Sequence, residues 1–360
     1  MKNEILRRLS ALALGLALLL NAAPLPQAFA VEDDTDASSS DSADSTDTTD
    51  KTVVTTADSD PTVTAAAANA PALDATAALL VSPESDMVLY EKNADEKRYP
   101  ASTTKIMTAL LTLENVSDLS AVVTAEASDF ENVTADSSNA GIKLGEQVTV
   151  KDLLYALMLP SANEAAYMLA RHVSGSWEQF VDMMNERAAE LGCTGTHFCN
   201  PCGLHEDDHY TTAHDLYRIA KQAMKDATFR DIVSTVQHRM AKTNLHEERI
   251  ILTTNQLIFS SFQPWSYANC LGIKTGHTSQ AGNCFVGYAE YGDAKLFSVV
   301  LGCSSSSKEY PTIAASFTDT KSLCQWGFKN FTSKTLARQG EEVTYTKVKL
   351  STDTNQVILI

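Results

Sequence analysis

Glycine, proline and cysteine are scarce in this chain of 360 residues, at 15, 10 and 7 copies. Their scarcity excludes collagen-like, wholly disordered and small disulfide-scaffold classes. Cationic residues are few as well. Against 45 Asp and Glu stand only 28 Lys and Arg, for a formal charge of −17. That excess argues against a nucleic-acid partner, since a phosphate backbone calls for a basic surface. There is no internal repeat. The charge-free run from Leu9 to Leu20 is shorter than the ~20 residues a spanning helix needs.

That run does fit a targeting leader. Lys2, Arg7 and Arg8 precede it, and Ala28-Phe29-Ala30 offers small residues at the −3 and −1 positions of a cleavage site. No cysteine follows to take a lipid. A leader over 1–30 and an exported, extracytoplasmic protein are therefore expected. No aromatic residue occurs from Val31 to Leu89, and residues 31–60 hold ten acidic residues against Lys51 alone. Such a segment buries too little apolar surface to offset the entropy of ordering it. A disordered acidic and Ala-rich spacer is expected over 31–72, carrying about half of the net charge. It lacks the Asp ladder, closing Gly and Glu of a calcium loop.

Periodic structure starts near Ala75. Ala77 to Val81 and Met87 to Tyr90 read as strands around the turn Ser82 to Asp86. Ile106 to Leu113, behind Pro100 and Ser102, reads as a helix. Val150 to Leu159 and Glu164 to His172 read as two helices broken at Pro160-Ser161, and Trp177 to Leu191 as a third that stops at Gly192. Leu271 to Thr275, Cys284 to Glu290 and Leu296 to Leu301 read as strands, and Thr318 to Phe328 as a closing helix. Strands at both ends with helices between them predict an α+β fold, an antiparallel sheet covered by helices.

Three short motifs carry the chemistry. Ser102-Thr103-Thr104-Lys105 sets a hydroxyl and an amine one helical turn apart. A serine attacks well only when a neighbouring base takes its proton. A lysine is such a base only where burial or nearby cations keep it neutral. Ser161-Ala162-Asn163 opens a helix at a break between apolar segments, although Ser and Asn also serve as plain caps. Lys274-Thr275-Gly276 ends a strand beside His277. Its glycine permits close approach of another chain, and its cation suits a substrate carboxylate. Two of the patterns have accidental copies, Ser305 to Lys308 and Ser137-Ser138-Asn139. The three in this order form the set of serine β-lactamases and penicillin-binding proteins.

With Val88 to Ala94, Pro100 to Thr108, Asp152-Leu153-Leu154, Asn200-Pro201-x-Gly203-Leu204 and Gly272 to Gly276, the chain resembles the low-molecular-mass penicillin-binding proteins, the serine-type D-alanyl-D-alanine carboxypeptidases, from about Ala77 to Phe331. The resemblance implies a β-lactamase/transpeptidase-like fold with an inserted helical subdomain over 73–330. Residues 331–360 would then begin a small β-rich C-terminal domain that is truncated or absent. It implies Ser102 as nucleophile, Lys105 as base and Ser161 as proton relay to the leaving amine. Asn163 would bind the substrate amide, and Lys274 and Thr275, followed by Gly276, the terminal carboxylate. The N–H groups of Ser102 and His277 would form the oxyanion hole. The implied partners are a peptidoglycan stem peptide ending in D-Ala-D-Ala and β-lactams as covalent inhibitors, with peripheral membrane or cell-wall association. No cofactor or metal is implied. The rival readings are a β-lactamase, for which no Glu-x-x-Leu-Asn stretch lies between Asn163 and Lys274, and a non-catalytic peptidoglycan-binding module.

Against that family pattern, Ser316 stands where an arginine is usual before Phe317-Thr318-Asp319, and Cys202 where histidine is frequent. Seven cysteines is an odd number, so at least one is unpaired within the chain. Cys199-x-x-Cys202 among His197, His205 and His209 has the look of a zinc site. A Cys199–Cys202 disulfide, a Cys270–Cys284 pairing across a hairpin and buried free thiols are the alternatives.

Overall fold

Alternate residues of the first strand of the opening hairpin go to two different apolar cores, and that alternation sets the architecture. The computed structural model describes residues 69–134, 137–259 and 263–331, with the backbone of a two-residue strand, β1 (Thr52–Val53). In β2 (Ala77–Ser82), Ala77, Leu79 and Val81 enter one core cluster while Ala78 and Leu80 enter another. This is the mark of a strand buried on both faces. β2 turns into β3 (Met87–Lys92) as the hairpin reading requires.

A 3-10 turn (Ala101–Thr104) then runs into α1 (Lys105–Asn115), whose first eight residues are all buried. A helix without a polar face belongs inside a fold. The ribbon of β4 (Val122–Thr124) and β5 (Gln147–Thr149) leads to α2 (Val150–Met158), capped by the Thr149 hydroxyl accepting the Asp152 N–H. After the Pro160-Ser161 break come α3 (Asn163–Ser174), ended by Gly175 at φ 90°, and α4 (Trp177–Glu190). α4 buries Phe180, Met184 and Ala188 at one-turn spacing, the inner stripe of an amphipathic helix. Next are α5 (Ala213–Ala223), α6 (Ala227–Ser234), the ribbon β6 (Gln237–Met240) with β7 (Arg249–Leu252), and the short α7 (Gln256–Phe259). The chain then re-enters the sheet as the meander β8 (Cys270–Thr278), β9 (Gly282–Tyr291) and β10 (Ala294–Cys303), closed by α8 (Ala315–Asn330).

The strand order is β1-β3-β2-β10-β9-β8, every pairing antiparallel. The inserted helices α1 to α6 pack on one face, and α8 packs on the other through Leu323, Cys324 and Trp326. β8 is left as an edge strand flanking the helical layer. The α+β, transpeptidase-like architecture expected from the sequence is the one observed.

The structure bears on three of the expectations. Of the segment read as an unstructured spacer, Thr52–Val53 pairs with Glu91–Lys92, and Ala70 already packs on the α8 side of the sheet. The leader over 1–30, most of the spacer and the C-terminal segment from 332 lie outside the described residues. Second, Cys270 and Cys284 do not face each other. The register sets Cys270 opposite Ala289 and Cys284 opposite Gly276, so the two thiols belong to different cores. Third, all seven cysteines are free thiols, Cys199 and Cys202 included.

Candidate active site

The 3-10 turn puts Ser102 at the mouth of a cleft and Lys105 at its floor. Ala101, at φ 48°, gives the chain its sharp entry into that turn. The helix proper begins only at Lys105, so Ser102 stands one tight turn ahead of α1. The Lys105 ammonium position is fully buried. Its Nζ lies 3.0 Å from Ser102 Oγ, 2.7 Å from Asn163 Oδ1 and 2.6 Å from the Cys202 carbonyl. A neutral amine has two N–H groups and one lone pair. The two carbonyl oxygens take the N–H groups, which leaves the lone pair directed at the serine hydroxyl. Burial pulls the Lys105 pKa down to about 8, against the opposing charge of Cys202 and Glu164.

The loop 199–204 supplies that second carbonyl. Asn200 Oδ1 shapes it by accepting the N–H groups of Gly203 (2.7 Å) and Cys202 (3.3 Å). Gly203, at φ 86°, lies so close beneath the 3-10 turn that a Cβ would stand 1.9 Å from the Ala101 carbonyl oxygen. Cys202 acts on Lys105 through its main chain, so cysteine in place of the more frequent histidine leaves the contact intact. The zinc reading fails on the same loop. His209 is buried, its Nδ1 accepts the Cys199 N–H at 3.1 Å and its Nε2 donates to Thr104 Oγ1 at 2.8 Å. Both ring nitrogens are committed, and burial first, with the charges of His197, His205 and Lys105, holds the ring neutral at a pKa of about 3. Among the described residues no three His, Cys, Asp or Glu side chains converge on a metal position.

The second motif forms the opposite wall. Ser161 is held at φ 67°, and its Oγ is buried without a hydrogen-bond partner among the described residues. A strained backbone and an unmet hydroxyl in a cleft are features that functional sites tolerate and cores seldom do. The Asn163 N–H donates to the Ser138 carbonyl at 2.9 Å. The apparent copy of the motif at 137–139 is thus part of the same wall, with Ser137 and Ser138 lining the cleft, whereas Ser305 and Lys308 do not line it. Glu164 fastens this segment, accepting the Ala140 N–H at 2.7 Å through Oε1.

β8 supplies the third wall. A Cβ on Gly276 would meet Pro100 O at 2.9 Å and Ser102 N at 3.1 Å, so glycine is what lets the strand lie against the serine turn. Lys274 is fully buried and donates to the Thr275 carbonyl (3.0 Å) and hydroxyl (3.4 Å). Burial, then the Lys105 charge, lowers its pKa well below the ordinary lysine value. Thr254, which no motif signalled, sits 2.6 Å from the Thr275 hydroxyl, while its N–H donates to the Leu159 carbonyl at 3.1 Å. It joins the third motif to the break carrying the second. Thr275, Gly276, His277 and Ser316 line the cleft of about 980 Å³ together with Ser102, Ser161 and Asn163. Of the predicted site residues, Ser102, Ser161, Asn163, Thr275, Gly276 and His277 line one cavity, and Lys105 and Lys274 lie directly behind it. The signals missed were main-chain ones, the Cys202 carbonyl above all, and Thr254, whose partner is known only from the fold.

A serine hydroxyl beside a buried, largely desolvated amine, in a cleft at a sheet edge, is an arrangement suited to a serine-type hydrolase. The D-alanyl-D-alanine carboxypeptidase model of the S11 peptidases matches residues 64–305. The D-alanyl-D-alanine carboxypeptidase DacF of Bacillus subtilis is 32% identical over 277 residues, covering 77% of this chain and 68% of that protein. The D-alanyl-D-alanine carboxypeptidase of Streptomyces sp. strain K15 is 36% identical over 253 residues, covering 67% and 82%. The crystal structure of the Streptomyces K15 DD-transpeptidase superposes with a TM-score of 0.65 at 33% identity, over 72% of this chain and 99% of that one. The chain belongs to the D-alanyl-D-alanine carboxypeptidase family, and is a serine-type D-Ala-D-Ala carboxypeptidase, a hydrolase of cell-wall metabolism.

Proposed function

We propose that Ser102 is the nucleophile of this carboxypeptidase and that the reaction runs through an acyl-enzyme. The observation that carries the reading is the Lys105 coordination, two carbonyl acceptors and one hydroxyl around a buried amine. Lys105 takes the Ser102 proton as Oγ attacks the carbonyl carbon of the terminal D-Ala–D-Ala bond of a peptidoglycan stem peptide. The oxyanion is held by the N–H groups of Ser102 and His277, a kind of stabilisation worth about 3 kcal/mol per donor. Ser161 relays the proton held by Lys105 to the departing amine, which leaves Lys105 neutral again, and D-alanine leaves. Water then attacks the ester, Lys105 takes its proton and passes it on to Ser102 Oγ, and the shortened peptide is released.

Asn163 orients the substrate amide while holding Lys105. Thr275, supported by Thr254 and with Lys274 behind it, receives the terminal carboxylate, and Gly276 keeps β8 close to Ser102. No Lys or Arg lines the cleft among the described residues, so the Thr254–Thr275 hydroxyl pair and the buried Lys274 take the part that an arginine at 316 would otherwise have. Penicillins would acylate Ser102 and leave slowly. The chain would be exported by its leader over 1–30, act outside the cytoplasmic membrane, stand off on its acidic spacer and remain peripherally associated with membrane or wall. Residues 73–330 would be the enzyme domain and 331–360 the start of a β-rich one. Among the described residues no helix is long and apolar enough to cross a membrane. The test is D-alanine release from an N-acylated pentapeptide. Release by the wild type and its loss in Ser102→Ala are expected, and turnover undiminished in that variant would refute the assignment.

A further inference from the structure

One fifth of the chain is charged, yet the described residues of the cleft wall carry no formal charge. Among the described residues lining it there is no Asp, Glu, Lys or Arg; the polar ones are Ser, Thr, Asn, Gln and His277. Its apolar lining includes Leu252, Phe259, Trp265, Ile313 and Phe317. Leu252 and Phe259 remain 43% and 40% exposed, an arrangement that large apolar side chains adopt where something is to cover them. The two nearby cations are fully buried behind the wall. Lys105 is committed to Ser102, Asn163 and Cys202, and Lys274 reaches the cleft only through Thr275. Among the described residues the lining therefore provides for one negative charge, at Thr275, and for no positive charge. A terminal carboxylate arriving there would itself favour the charged form of Lys274.

An ammonium set against this wall would lose part of its hydration and find no counter-ion; a second carboxylate would find no further cation.

We propose that this enzyme selects stem peptides in which the residue on the amino side of the D-Ala-D-Ala unit presents a neutral side chain, amidated, acylated or apolar. A free ammonium or a free carboxylate at that position is disfavoured. The inference rests on the reading of this cleft as the acyl-enzyme site, and the test separates the two. D-alanine release by the full chain is measured on two matched pairs. One is Nα-acetyl-L-Lys-D-Ala-D-Ala against its Nε-acetyl derivative, and the other Nα-acetyl-L-Glu-D-Ala-D-Ala against the isosteric L-Gln peptide. The neutral member of each pair should have a kcat/KM higher by on the order of tenfold. Equal or faster turnover of the charged member in either pair overturns the selectivity and leaves the hydrolase reading standing. No release from any of the four overturns both. Leu252→Glu, which sets a carboxylate on the exposed rim, should narrow or reverse the lysine-pair preference; an unaltered ratio counts against the proposal.

Discussion

To act as the proposed base Lys105 has to be neutral, and burial shifts it toward that form. With a pKa of about 8, the reactive fraction rises close to tenfold per pH unit below that value and levels off above it. Acylation by a fluorescent penicillin, followed as a second-order rate, should therefore climb from pH 6 to 8 and flatten; a rate independent of pH in that range would remove Lys105 as base. Glu164 opposes the effect of burial on this amine. Its Oε2 has no partner among the described residues. Glu164→Gln keeps an oxygen for the Ala140 N–H and removes the charge, so the rise should move to lower pH. The same shift has a stability consequence. Between about pH 8 and the unperturbed value of 10.5 the unfolded chain holds the extra proton, so this group's contribution makes stability rise with pH across that window and fall on descending through it. Thr254→Val, which strips the hydroxyl 2.6 Å from Thr275, should raise KM about tenfold, on the scale of one lost hydrogen bond to a charged group, with little change in kcat.

At the scale of elements, the site is three segments fitted to one 3-10 turn, and the glycines record how tightly. Gly203→Ala would drive a Cβ into the Ala101 carbonyl from a left-handed backbone. A loss of about 2–4 kcal/mol in urea unfolding, with penicillin acylation suppressed, is expected; wild-type stability would contradict the close fit. The Ser102–Lys105 spacing was legible in the sequence because both partners sit on one turn. Ser161, Asn163 and Lys274 were legible only as members of a set. The Cys202 carbonyl was not, since a main-chain acceptor leaves no residue signature, and Thr254 owes its place to β7 and α7 returning beside β8. Long strands and the helices α1 to α4 were readable from period and caps. The ribbons β4–β5 and β6–β7, three or four residues per strand, are too short for alternation to register. α5 and α6 went unread although Leu216, Ile219, Ala220 and Ala223 keep a helical spacing. The proposed Cys270–Cys284 pair failed because two strand neighbours on opposite faces cannot be told from sequence without the register, which here shifts between Cys270 and Gly272.

For the whole molecule, the sheet is the shared wall of two cores, and the site depends on both. Phe285 is fully buried on the α8 side, in aromatic contact with Phe317 and opposite Thr275 in register. Phe285→Ala should cost about 3–5 kcal/mol and weaken substrate binding through β8. The acidic total says little about the proposed chemistry, which turns on two lysines buried behind the cleft wall. The most direct measurement is the site of the covalent adduct after the full chain is incubated with benzylpenicillin and digested for mass spectrometry. A single adduct carrying the whole mass of the drug, on the peptide containing Ser102 and absent in Ser102→Ala, is the expected result. An adduct on any other residue, or undiminished labelling of that variant, would contradict it.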